Sequence, residues 1–150
     1  SVWGVGMVVK QLFFALISTA AFCLLWHLPL RHLPLASLGG AASWGIYLLL
    51  SAWLDNIFYI VLLVSIFSAA YAEITARRVR APATLFLIPA LIPLVPGSSL
   101  YYTMLALVQD NTAGVHSYGM LTVKWVIGIA AGISLVGVAH QIVHRPAKTK

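Results

Sequence analysis

Pro82, Pro89, Pro93 and Pro96 fall inside one apolar run, residues 81–109, and Gly97, Ser98 and Ser99 follow the last of them directly. Proline lacks a backbone donor and clashes with the preceding turn, so an unbroken helix through Pro93 and Pro96 is not expected. The carbonyls of Leu85, Pro89 and Ile92 lose their helical donors. In hydrocarbon such groups persist only where protein or a polar cavity satisfies them. Ser98 or Ser99 is a good N-cap for a second helix. Free N–H groups and the dipole at that start would hold a carboxylate, and the open carbonyls around Pro89 and Ile92 an ammonium. The chemistry is therefore recognition of a small zwitterion at a broken span, a device of secondary transporters. Pro89, Pro93, Pro96, Gly97, Ser98 and Ser99 are the candidate substrate-binding residues, with Tyr101 and Tyr102 as pathway-lining or packing aromatics. The competing reading is a kinked packing helix whose freed groups are met by its neighbours.

Glu73 is the only acid well within an apolar run, though near its cytoplasmic end. Intramembrane ionisable residues are functional candidates, and Glu73 is the candidate proton carrier. An i,i+4 pair with Arg77 at the membrane interface is the plain alternative. His140 and His144 share a helical face, but with no third ligand in view they read as interfacial histidines and no metal is expected. Cys23, the single cysteine, rules out a disulfide framework within one chain and reads as a buried thiol.

The elements that must position these residues are membrane helices. The chain of 150 residues is 61% hydrophobic and 8% charged, with a mean hydropathy of +0.97; soluble domains carry about 25% charged residues. Residues 81–109 as one rod would measure roughly 43 Å at about 1.5 Å per residue, against about 30 Å of hydrocarbon. The expected fold is an all-α integral membrane protein of five transmembrane helices, spans 11–28, 35–54, 57–76, 82–109 and 118–139. The fourth is broken between Pro93 and Ser98 into two half-helices. Residues 1–9 either extend the first span or lie at the interface, and 110–117 read as a polar loop. Residues 1–145 form a single membrane domain, and 146–150 a basic cytoplasmic tail. Ser37, Ala41 and Gly45, Ala36 with Gly40, and Gly128 with Gly132 are spaced for close helix approach.

The net charge of +6 does not argue for nucleic acid, because the basic residues cluster beside apolar spans. Arg31, Arg77, Arg78, Arg80, Arg145, Lys148 and Lys150 fall on one side of a five-pass chain; Lys10, Lys124, Asp55 and Asp110 fall on the other. The positive-inside rule then places the N-terminus outside and the C-terminus in the cytoplasm. An enzyme is not expected: no Gly-x-Ser-x-Gly occurs, Ser98 and His140 lie at different depths, and the three acids sit at the edges of spans.

From Pro82 through Pro89, Pro93, Pro96-Gly97-Ser98-Ser99 to Tyr101-Tyr102-Thr103-Met104, the sequence resembles the threonine/serine exporter family. Ala72-Glu73-x-x-Ala76-Arg77, Leu38-Gly39-Gly40-Ala41 and Trp44-Gly45 add to the resemblance, which runs from span one to Arg145. Pro89–Ser98 is its most specific part. The chain is similar to the small subunit of two-component members, equivalent to the C-terminal membrane half of single-chain exporters. The resemblance implies export of small amino acids, or of dicarboxylates such as succinate, coupled to the proton motive force in the inner or plasma membrane. It also implies a separate large membrane subunit as partner, and no cofactor. Several copies of each chain, and so a homo-oligomer, fit the same picture. A non-transporting assembly subunit is the alternative function.

Overall fold

The computed structural model describes residues 4–144; Ser1–Trp3 and the expected basic tail at 146–150 lie outside the described residues. The helices are α1 (Val5–Leu25), α2 (Leu33–Ser51), α3 (Ile57–Val79), α4 (Thr84–Leu91), α5 (Gly97–Val108) and α6 (Thr112–Val143). Short 3-10 turns at Leu30–His32 and Ile92–Leu94 precede α2 and follow α4. The chain is all-α, with no strand among the described residues. Four helices are long and apolar enough to cross a membrane, and Thr84–Leu94 with Gly97–Val108 forms a further broken span bent by 53°.

The interior is inverted relative to a soluble protein. Ala15, Thr19, Ala36, Ser43, Ser65, Ser68 and Ala72 are buried, while Phe13, Phe14, Leu49, Leu107, Val126 and Ile142 are exposed. Small side chains let the helix backbones approach, and many large apolar ones face outward as lipid requires, with Phe86, Leu94, Val61 and Val64 among the large ones kept inside. Three buried hydroxyls bond back into their own helices: Thr19 donates to the Ala15 carbonyl, Ser43 to Gly39 and Ser68 to Val64, whereas Ser37 and Ser65 find no partner among the described residues. Ser43 and Ser68 also meet each other at 2.8 Å, joining α2 to α3. Gly40 faces Thr19 of α1, and Gly39 faces the Tyr71 ring of α3, so one glycine pair serves two interfaces.

Several bounds differ from expectation, each for a local reason. α1 begins at Val5, so the apolar start extends the first span. It ends before His27, whose left-handed φ of 56° turns the chain. Arg80, at φ 54°, ends α3 in the same way. The expected polar loop at 110–117 is instead mostly the start of α6. Asn111 Oδ1 accepts from the Gly114 N–H at 3.0 Å and caps the helix there.

α3 and α6 run parallel in one register. Gly128 lies against Val61, Gly132 against Ser65, Glu73 against His140 and Arg77 against His144, each pair separated by 67 residues. Parallel neighbours require the chain between them to cross the bundle once. The broken pair is therefore one span, neither a re-entrant hairpin nor two full passes. Its halves have different partners: α4 packs on α2 and α3, whereas α5 packs on α6.

Candidate functional site

The break is built from backbone chemistry. Pro93 is the second residue of the 3-10 turn Ile92–Leu94, Val95 is extended, and Pro96 occupies the N-cap of α5. The freed carbonyls of Pro89 and Ile92 are not left open as expected. Ile92 N–H donates to the Pro89 carbonyl, and Val95 N–H donates to the Ile92 carbonyl at 3.2 Å. Tightening to i+3 bonds replaces the donors that Pro93 and Pro96 lack. Neither serine caps α5: no side-chain cap bond is made there, and Ser99 Oγ donates to the Pro96 carbonyl at 3.2 Å instead. The uncapped helix start remains the anion-favouring feature.

A half-open cavity of about 330 Å³ lies against this break, within the range of about 300–1,000 Å³ usual for small-molecule sites. Pro93, Val95, Pro96, Ser98 and Ser99 form one wall. Trp44 and Tyr47 of α2, Ile57 of α3, and Leu121 and Trp125 of α6 form the other. Trp44 stacks on Tyr47 at 4.8 Å between ring centroids, and Tyr47 meets Trp125 at 5.5 Å. A second cavity of about 360 Å³ lies on the other side of Trp44 and Pro93, which line both. Trp44 Nε1 donates to Gln11 Oε1 at 3.2 Å, fixing the indole between the two. No charged side chain lines either cavity.

Of the residues expected from sequence, Pro93, Pro96, Ser98 and Ser99 meet at the first cavity. Pro89 is buried and faces a separate apolar cavity with Cys23 and Phe22. Gly97 lines neither; a Cβ there meets nothing within 4 Å. Tyr101 and Tyr102 lie on an exposed face of α5, edge to face with each other, and Tyr102 stacks on Tyr118 of α6. The aromatic wall of Trp44, Tyr47 and Trp125 was missed, although its rings suit an ammonium ion. Aromatics scattered over two helices carry no local signal, so only packing reveals them. Ile57 opens α3, so the cavity lies toward the end of the bundle where that helix begins.

Glu73 stands about 24 Å further along α3 at 1.5 Å per residue. Its partner is not Arg77. Glu73 Oε2 lies 3.6 Å from His140 Nε2, and Arg77 Nη1 donates to His144 Nε2 at 2.8 Å. His140 and His144 stack at 4.8 Å.

Apolar helices joined through small-residue faces, with one span broken beside an uncharged cavity, define a multi-pass membrane protein of transporter architecture. The profile of the family described as Threonine/Serine exporter, ThrE matches residues 11–139. The chain belongs to that family and is a threonine/serine exporter-type membrane transporter. No curated protein and no solved structure gives a match.

Proposed function

We propose that the chain is one membrane subunit of a secondary exporter carrying a small amino acid of the threonine/serine kind across the inner or plasma membrane. The observation that carries this reading is the cavity between the Pro93–Ser99 break and the Trp44, Tyr47 and Trp125 rings, which has no charged lining. A zwitterion needs no net counter-charge: its carboxylate suits the start of α5 and its ammonium the aromatic faces. A dicarboxylate such as succinate would bring two charges into a site with no cation, so it is the weaker substrate. The N-terminus lies outside and the C-terminus in the cytoplasm, a reading supported by Arg77, Arg78 and Arg80 at the end of α3 and by Arg145, Lys148 and Lys150 following α6 in the sequence. The proton motive force drives export through Glu73, a large membrane subunit completes the pathway, and no cofactor or enzymatic step is involved.

The second reading, a bracing subunit, rested on small-residue faces available to a partner. Gly39, Gly40, Gly128 and Gly132 are instead filled by Tyr71, Thr19, Val61 and Ser65 of the same chain, which weakens it. The test is reconstitution in vesicles with and without the large subunit. Labelled threonine, serine and succinate are offered under an imposed proton gradient. Gradient-dependent threonine or serine movement is expected; none in either preparation would overturn the reading.

A further inference from the structure

We propose that Glu73 and His140 share the exchangeable proton of the transport cycle, with Arg77 and His144 paired beside them. The inference rests on the transport reading above and names where its coupling proton resides. The 67-residue register of α3 and α6 stacks all four side chains at one end of the helix pair. Glu73 and His140 are 30% and 35% exposed, so neither is sealed inside the bundle. An ion pair this exposed contributes little to stability, so the pairing is not explained by holding the fold together.

The charges permit one proton and not two. Arginine is a permanent donor with no acceptor. Its guanidinium lies against both ring nitrogens of His144, Nη1 at 2.8 Å from Nε2 and Nη2 at 3.4 Å from Nδ1. A second imidazolium stacked at 4.8 Å would place like charges side by side next to Arg77. The ring facing the carboxylate takes the proton. Among the described residues no other titratable group faces the pair: α4 has none, and the only one on α2, Tyr47, lies at the break. Tyr71 donates to the Leu35 carbonyl of α2, and Arg78 lines a groove with Tyr71 on another face of α3. His32 packs on Phe86 of α4 and accepts from Arg31.

A proton from water binds the lone pair of His140 Nε2, giving an imidazolium opposite the Glu73 carboxylate. Transfer onward breaks that N–H bond and forms an O–H bond on Glu73 Oε2, leaving both groups neutral and the cluster charge unchanged. At 3.6 Å the atoms are beyond hydrogen-bond distance, so a small approach or a bridging water completes the transfer. Proton occupancy changes the charge held between α3 and α6, the helices that also carry Ile57 and Trp125 to the cavity.

The test uses vesicles carrying the full chain, with its large subunit where transport requires it, and labelled threonine as probe. Accumulation driven by a pH gradient is compared with threonine exchange at zero gradient. Relative to wild type, His140→Gln and Glu73→Gln should each lower the ratio of driven accumulation to exchange at least tenfold. The double variant should be no worse than either single one, since both carry the same proton. Arg78→Gln, on another face of α3, should keep the wild-type ratio. A wild-type ratio in His140→Gln overturns the inference while leaving the transport reading intact. Loss of exchange together with accumulation also overturns it, since that marks a structural role. Wild-type vesicles with neither activity overturn the transport reading and this inference with it.

Discussion

Gly132 and Ser65 face each other so closely that a Cβ on the glycine would sit 2.5 Å from the serine Cβ. The Leu62 oxygen and Ile66 nitrogen, both backbone, would lie at 3.0 and 3.1 Å from it. Backbone does not swing aside, so Gly132→Ala must push α6 away from α3. A cost of about 1–3 kcal/mol is expected, the usual penalty of overpacking. Thermal unfolding in detergent checks it against Gly137→Ala, where a Cβ meets nothing within 4 Å. That control should be neutral or stabilising by up to about 1 kcal/mol through helix propensity. Equal effects at both positions would show that the α3–α6 contact is not a tight one.

Trp125 and Tyr47 form the aromatic side of the cavity. Trp125→Ala should raise the threonine KM by roughly 3–30-fold, the equivalent of about 0.7–2 kcal/mol of lost cation–π attraction. Trp125→Phe, which keeps an aromatic face, should recover part of it. The concentration dependence of uptake reads this directly, and an unchanged KM in Trp125→Ala would remove the ring from the binding site.

Bulk at Ser98, rather than at Gly97, is the test of the break. Ser98 is exposed and lines the cavity, whereas a Cβ on Gly97 reaches open space. Ser98→Leu should abolish transport, leaving extraction yield, unfolding temperature and association with the large subunit intact. Gly97→Ala should transport normally. If Ser98→Leu dissociates the complex instead, the bracing role is favoured.

Asp110 ends α5 with a left-handed φ of 53°, and the Asn111 N–H donates to the Ala106 carbonyl at 2.9 Å across that turn. Glycine adopts this conformation without the Cβ strain. Asp110→Gly should stabilise by up to about 1 kcal/mol and Asp110→Val should destabilise, read as opposite shifts in unfolding temperature. Shifts of the same sign would exclude backbone strain as the cause.

The polypeptide's own chemistry fixed the broken span, because proline removes donors at known positions whatever surrounds it. The apolar spans and the close approach at Gly128 and Gly132 were legible for a similar reason: both follow from spacing along one helix. The bounds of α1 and α6 were not, since the Asn111 cap and the His27 turn depend on single dihedral choices that composition does not encode. The repair of the Pro89 and Ile92 carbonyls by 3-10 bonds was equally hidden, for local geometry chose i+3 donors over an open site.

What the sequence determined by itself is the interruption: an apolar chain that must stop being helical between Pro93 and Gly97, next to serines. Only the tertiary structure decided what faces that interruption and who receives Glu73. Tyr47 of α2 meets Trp125 of α6 through packing, and Glu73 turns to His140 rather than Arg77 because α3 and α6 settled into a parallel register. That register is set by whether a glycine on one helix meets a bulky or small side chain on the other. Such a contact is a property of pairs of residues far apart in the chain, and no pattern along either helix alone contains it.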